Sequence, residues 1–393
     1  MGVSAKVRFW ILVCIVAISG FSQGMLLPLI AIIFEQDGVS SAMNGIHATG
    51  IYIGILIASP LMEAPLRKYG YKPLIVVGGF IVGLSLLFFP LWPHFWFWFV
   101  LRLLIGVGDQ MLHFSTQTWI TSSSSAERRG RNIAIYGLFF SLGFAMGPAM
   151  SSLVEINRSL PFIVSGVLTF ITWGFVFLLR NDIPDHGEVG TASLFGTLKR
   201  FKQVGKYAWV AFLPPLSYGF LEASLHGNFP IYALRSGVEA SAVAFILPAF
   251  SIGAIVFQLP LGILSDKFGR HRVLMTVLFT GAVCFIGSGL AGTSALWLFV
   301  TFFLAGMAVG STFSLGISYM TDLLPKSLLP AGNIMCGIAF SLGSISGPAL
   351  GGIIIQFFAG GFFYLISTLL FAVCLCLMVF SLVQKNKAMT AET

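Results

Sequence analysis

The sequence predicts an all-α integral membrane protein: twelve transmembrane helices in two pseudo-symmetric six-helix halves. Three observations carry this reading. Of 393 residues, 57% are hydrophobic and only 9% charged, with a mean hydropathy of +0.93. A soluble domain carries about 25% charged residues, and no soluble fold hides this much apolar surface, so part of the solvent is lipid. Charges and turn signals cut the chain into twelve long apolar runs. Finally, the phrase "FSLGFAMGPAM" (Phe140–Met150) returns two hundred residues later as "FSLGSISGPAL" (Phe340–Leu350).

A membrane-crossing helix needs about 20 apolar residues. The first run follows Lys6 and Arg8 and reaches Phe34. That is too long for the apolar part of a signal peptide, and no small-residue cleavage site follows it, so it is read as the first span. The expected spans are 9–34, 43–66, 73–92, 95–122, 132–155, 160–179, 207–234, 241–265, 272–291, 295–320, 331–358 and 361–384. Several exceed the minimum, as tilted or bent helices do. Proline within them, at Pro28, Pro60, Pro148, Pro248, Pro260 and Pro348, is tolerated where neighbouring helices re-satisfy the backbone.

Lys and Arg mark the cytoplasmic side. With twelve spans, nineteen of the twenty-two fall on the side that holds both termini and every second loop. Arg158 and Arg235 alone fall on the other side, and Arg102 lies inside a span. Both termini are therefore expected in the cytoplasm, in a multi-pass protein of the cell membrane that acts as a monomer. The net charge of +8 does not point to nucleic acid, because the basic residues sit in short clusters between apolar runs rather than along one face. Cys14, Cys284, Cys336, Cys374 and Cys376 all fall in apolar runs without a CxxC pair. They read as small buried hydrophobes and imply neither a disulfide framework nor a metal site.

The longest connection, about 180–206, opens acidic with Asp182, Asp185 and Glu188, then reads "SLFGTLKRFK". Leu194, Leu198 and Phe201 recur at helical spacing against Lys199, Arg200 and Lys202. That fits a short helix lying on the inner leaflet; a basic linker held near anionic lipid by charge alone fits as well. The expected organisation is an N-terminal half at 1–179, this linker at 180–206 and a C-terminal half at 207–393.

The repeated phrase is part of a longer echo. Between Tyr136–Met150 and Cys336–Leu350, eight of fifteen positions are identical. "FVLRLLIG" (Phe99–Gly106) is echoed by "FVTFFLAG" (Phe299–Gly306), and "KYG" (Lys68–Gly70) by "KFG" (Lys267–Gly269). Repeats of six spans mark secondary transporters whose halves rock about a central site.

The most specific motif is "GILSDKFGRHR" (Gly262–Arg272), between helices 8 and 9. It resembles the G-x-L-x-D-[RK]-x-G-R-[RK]-[RK] loop of the major facilitator superfamily, and the likeness extends over essentially the whole chain. The resemblance implies a cytoplasmic gate at Asp266, Lys267, Gly269, Arg270 and Arg272, broken when the halves rock. The first-half loop, "EAPLRKYGYK" (Glu63–Lys72), departs from the pattern, with Glu63 at the glycine position and Arg67 at that of the aspartate. Glu63 and Arg67 are four apart, an order that allows a helix-end pair worth a few tenths of a kcal/mol. "RLLIGVG" (Arg102–Gly108) and "ERRGR" (Glu127–Arg131) resemble the family's helix 4 and the loop after it. "GFAMGP" (Gly143–Pro148) resembles the G-x-x-x-G-P of drug:proton antiporters. Its physical content is close helix approach and a bend. Gly343, Gly347 and Pro348 repeat it, so the six residues are expected to form a pair of helix-packing hinges, and plain packing explains them equally.

A charge at a helix centre costs about 2.5–3.5 kcal/mol on insertion scales, so one that is kept there points to function. Asp109 sits mid-helix 4 and Glu222 mid-helix 7, each with a histidine four residues on, His113 and His226. Residues four apart share a helix face. These four are the expected proton-coupling residues. Arg102 lies two turns before Asp109, about 10.5 Å along the axis, and with Gln110 and Gln23 is a candidate for the substrate cavity. Helices 1, 4, 7 and 10 line that cavity in the resembled family. His47 in helix 2 reads as a satisfied polar residue, and the alternative for Arg102 and Asp109 is a static structural role.

The reading is a secondary transporter, with proton-coupled efflux of small amphipathic or cationic compounds as the first expectation. Proton-linked uptake of a small polar or anionic solute bound at Arg102, and lipid or lysolipid flipping, are the alternatives. No Walker-type G-x-x-x-x-G-K-[ST] occurs, and neither H-E-x-x-H nor G-x-S-x-G. The expected partners are lipid, protons and a small-molecule substrate, with no cofactor and no enzymatic chemistry. A membrane enzyme using Glu222 and His226 as acid and base lacks a nucleophile or metal set.

Overall fold

A computed structural model describes residues 4–124, 126–183, 194–290, 292, 294–325, 328–358 and 360–392, and its regular structure is helical throughout. The long helices are α1 (Ala5–Gln36), α2 (Ser41–Leu61), α3 (Tyr71–Leu91), α4 (Phe95–Ser123), α5 (Ile135–Glu155), α6 (Leu160–Leu178), α7 (Leu213–Arg235), α8 (Ala240–Phe268), α9 (Arg270–Gly289), α10 (Ala295–Leu323), α11 (Ala331–Phe357) and α12 (Phe362–Val383). Eleven of them are long and apolar enough to cross a membrane. The other, α7, has the length, with 23 residues, but carries Glu222, His226 and Asn228, which lower its hydropathy. With α7 the count is the expected twelve.

Helix starts follow local chemistry. Ser4, Ser40 and Ser294 cap α1, α2 and α10, each accepting a backbone N–H three residues on, which satisfies one of the orphan donors of a first turn. Gly70 and Gly269 have φ of 85° and 91°, a region that L side chains rarely adopt. Each ends one helix and starts the next, α3 or α9. The echo of "KYG" in "KFG" is thus the same sharp turn made twice.

The chain divides into two compact units, Met1–Gly190 with Val243–Pro248, and Thr191–Ala242 with Ala249–Thr393. In the first, α1 packs on α5 with backbones touching. A Cβ at Gly143 would strike the Ala17 carbonyl, and one at Gly147 the backbone of Gly24 and Met25. In the second, Gly343 and Gly347 lie as closely against Leu216 and Phe220 of α7. The doubled phrase is therefore the contact face of α5 on α1 and of α11 on α7, where small residues let helices approach. The second echo has the same cause: Gly106 fits against Ile51 of α2, and Gly306 against Phe250 of α8. The two copies then diverge. After Met146, α5 tightens into a 3₁₀ stretch over Gly147–Glu155, whereas α11 stays α-helical through Pro348. Asn228 Nδ2 of α7 donates to the Pro348 carbonyl at 3.0 Å.

A short helix, Leu194–Ala208, forms in the connection between halves. Asp185, Glu188 and the side chains of Leu194, Leu198, Lys199 and Arg200 lie outside the described residues, as do those of Glu63, Arg67, Glu127, Arg128, Arg129 and Arg131. The cysteines depart from expectation. Only Cys336 is buried; Cys14 is exposed, and Cys284, Cys374 and Cys376 are half-buried. An apolar run in a membrane helix has an outer face as apolar as its inner one, so hydropathy does not place a small side chain inside. Replacing Gly143 or Gly343 by leucine should force the paired helices apart and cost about 1–3 kcal/mol each. Thermal unfolding in detergent checks this, and equal losses for the two variants are expected.

Candidate functional site

Asp109, on α4, is fully buried. Its carboxylate is reached by α1, whose close packing on α5 brings Ser19 to it. Ser19 Oγ donates to Asp109 Oδ1 at 2.6 Å, and Oδ2 has no hydrogen-bond partner. Around this pair, Ser19 Oγ lies 3.2 Å from His113 Nε2, and Gln23 Nε2 donates to Ser19 Oγ at 3.4 Å. His113 Nδ1 is 2.7 Å from the Tyr136 hydroxyl of α5. Gln23, Ile55, Asp109, Gln110, His113, Tyr136, Gly137 and Phe140 line a cavity of about 200 Å³. The structure thus gathers Asp109, His113, Gln23 and Gln110 into one place.

Arg102 does not line this cavity. Fully buried, it donates from Nη1 to His47 Nδ1 and from Nη2 to the Leu26 carbonyl, both at 2.9 Å. A guanidinium has donors only, so His47 Nδ1 accepts, and Nε2 carries the hydrogen given to the Phe95 carbonyl at 3.1 Å. His47 is therefore neutral and oriented from both sides. Arg102 joins α4 to α1 and α2, and the two turns between it and Asp109 separate two distinct networks.

In the second unit, the Tyr218 hydroxyl donates to Glu222 Oε1 at 3.4 Å. Glu222 is half-buried and His226 buried, both on α7. At one end of this unit, Arg270 gathers the ends of α8, α9 and α10. It donates to Asp322 Oδ1 at 2.7 Å, the Ser318 carbonyl at 2.7 Å, Thr321 Oγ1 at 3.0 Å and Asp266 Oδ1 at 3.3 Å. Lys267 lies over the Phe268 ring, and Arg272 is exposed. Arg270, not Asp266, is the hub of this loop.

The first unit solves the same problem with another residue. Asp182, beyond α6, accepts from Arg8 Nη1 at 2.6 Å and from Trp119 Nε1 at 2.9 Å. Its carbonyl takes the Tyr71 N–H at 3.1 Å, and Tyr71 stacks on Trp119 with centroids 5.4 Å apart. Arg8 lies over the same indole. The half-exposed ion pair alone contributes about 0–1 kcal/mol; the aspartate's value is that one residue ties α1, α3, α4 and α6 together.

Sequence reasoning missed Ser19, Tyr136 and Asp182 as site or clamp residues. A signal existed for two. At the offset that aligns Gln23 with Glu222, Ser19 aligns with Tyr218, and at two hundred Tyr136 aligns with Cys336. These are polar disagreements between otherwise similar copies. Nothing in the local pattern of Asp182 points across to Trp119. Among the described residues, no group of three or more His, Cys, Asp and Glu is placed to hold a metal ion.

The profile of the Major Facilitator Superfamily matches residues 12–248 and 208–392. The chain belongs to this superfamily. Among superfamily relatives, the uncharacterized MFS-type transporter YfkF of Bacillus subtilis (strain 168) is 59% identical over 376 residues, covering 95% of this chain and 96% of its own. The uncharacterized MFS-type transporter YcaD of Escherichia coli is 23% identical over 343 residues, 86% of each chain. Among solved superfamily folds, the nucleoside transporter NupG superposes with a TM-score of 0.81 at 13% identity, covering 95% of this chain and 98% of its own. A bacterial homolog of the human lysosomal transporter Spinster gives 0.71 at 16%, covering 97% and 96%. Such identities establish the shared fold and nothing about substrate.

The Arg102 network makes a stability prediction. His47→Ala leaves a buried guanidinium hydrogen unpaired and should cost about 1–3 kcal/mol. Thermal unfolding of the purified variant measures the loss.

Proposed function

We propose that this superfamily member is a proton-coupled antiporter that exports small amphipathic cations by alternating access, in the manner of drug:proton antiporters. The observation that carries the proposal is the Asp109 carboxylate: fully buried, with Oδ2 unpartnered, at the wall of a cavity lined otherwise by Gln23, Gln110, His113 and Tyr136 and by Ile55, Gly137 and Phe140. An unpaired charge in such a place is costly. Either a proton or a bound cation removes the cost. A single carboxylate that takes one gives up the other, which is exchange, and an inward proton gradient then drives the cation outward. Apolar and aromatic lining suits an amphipathic cation. Glu222, held by Tyr218, is the second coupling carboxylate. The cluster at Asp266 and Arg270 serves as a gate that opens and re-forms in the cycle, on the side to which the basic loops assign both termini.

Inside-out vesicles with an acidic lumen test this with ethidium as the probe cation. Wild-type protein should accumulate it in a gradient-dependent way. Asp109→Asn and Glu222→Gln should each lower the gradient-driven rate about tenfold or more, a loss of at least about 1.4 kcal/mol of transition-state stabilisation. Full gradient dependence in both variants would contradict the proposal.

A further inference from the structure

We infer that protons reach Asp109 along a continuous chain of hydrogen-bonding groups, from Tyr136 through His113 to Ser19, which makes Ser19 and Tyr136 relay residues. This rests on the proposed coupling role of Asp109.

The Nε2–H tautomer of His113 gives the chain its direction. Ser19 has one, and gives it to Asp109 Oδ1 at 2.6 Å. Its oxygen is then left to accept, from Gln23 Nε2 at 3.4 Å and, in the Nε2–H tautomer of His113, from Nε2 at 3.2 Å; in the Nδ1–H tautomer Nε2 accepts instead from Gln23 Nε2 at 3.4 Å. With Nε2 donating, Nδ1 of a neutral His113 is an acceptor, and the Tyr136 hydroxyl 2.7 Å away supplies the hydrogen. The Tyr136 hydrogen has longer alternatives in Thr116 Oγ1 at 3.3 Å and the His113 carbonyl at 3.4 Å, and the 2.7 Å contact to Nδ1 is the shortest of the three. In the Nε2–H tautomer three consecutive links point toward the carboxylate.

The passage balances. A proton carried by hydronium in the cavity binds the Tyr136 oxygen as the phenolic hydrogen passes to His113 Nδ1. His113 releases its Nε2 hydrogen to Ser19, and Ser19 passes its own to Oδ1. Water is left behind, Asp109 gains one proton, and every relay group keeps its number. His113 ends as the Nδ1–H tautomer, and the reverse passage restores it.

Among the described residues of the first unit, Tyr136 is the titratable group hydrogen-bonded to His113. On α1 the neighbours are Ser19 and Gln23; α5 brings Tyr136. On α2, His47 is engaged by Arg102, and Tyr52 lies about one turn before the cavity-lining Ile55. From Pro73 to Leu91, α3 carries no titratable side chain, and it meets α4 through Gly78 against Gly108. Arg102 of α4 itself is turned to His47 and Leu26.

The test needs no substrate. Full-length protein in lipid vesicles is followed by time-resolved infrared spectroscopy after photorelease of a caged proton. The C=O band of protonated Asp109 is assigned as the one lost in Asp109→Asn. Ser19→Ala and Tyr136→Phe should slow its appearance about tenfold or more, while its final amplitude stays as in wild type, and Ser19→Thr should restore the rate. A merely structural effect would change the amplitude and not the rate. Wild-type rates in both Ser19→Ala and Tyr136→Phe would overturn the relay and leave the coupling role standing. If no band is lost in Asp109→Asn, Asp109 takes up no proton, and coupling role and relay fall together.

Discussion

A buried carboxylate needs hydrogen-bond donors from the protein, and the Ser19 hydroxyl supplies one to Asp109. Much of the first unit follows from that constraint. Ser19 reaches Asp109 because α1 lies against α5 with backbones in contact at Gly20, Gly24, Gly143 and Gly147. The same approach sets Tyr136 of α5 beside His113 of α4. A side chain at any of those glycines would move the hydroxyl from the carboxylate, and a displacement of even 1 Å would break a bond of this length. Packing and chemistry are one problem here: small residues bring helices close enough for short polar side chains to meet.

The second unit keeps that frame and changes what it carries. Gly219, Gly343 and Gly347 hold α7 to α11 as their counterparts hold α1 to α5. Yet Ser19 and Gln23 give way to Tyr218 and Glu222, so the carboxylate moves from α4 to α7. Arg102 is matched by Phe302, equally buried, and the guanidinium network has no counterpart there. Two halves built alike around unlike polar groups give a transporter two distinct titratable centres. The clamps at the helix ends diverge in the same way: Arg270 is a cationic hub among carboxylates and carbonyls, Asp182 an anionic hub among Arg8, Trp119 and a backbone N–H.

Fold class and span count were legible in the sequence, and a cluster of polar residues stood out with them, because a membrane makes charge and hydropathy decisive. Asp109, His113, Gln23 and Gln110 stand out against an apolar background, and the structure brings them together. Arg102 stood out as strongly, but hydropathy says only that a charge is buried, not which neighbour satisfies it. Its partner His47 lies fifty-five residues away on another helix. Ser19 and Asp182 were hidden for opposite reasons. A serine is unremarkable in a membrane helix until a carboxylate appears across from it, and an aspartate just beyond a helix end looks like ordinary solvated charge until Trp119 and Tyr71 are folded against it. The doubled glycine phrase was read as packing or hinge; the packing is plain in both units, whereas the 3₁₀ stretch that starts at Gly147 occurs in the first copy alone.

The proposed exchange of a proton for a cation at Asp109 would have a direct equilibrium signature. Purified protein in weakly buffered detergent solution, near neutral pH, is mixed with ethidium while an indicator dye follows free protons. Proton release that saturates together with ethidium binding in wild type, and is absent in Asp109→Asn, is the result expected. Saturable ethidium binding without proton release from the wild-type protein would contradict the exchange.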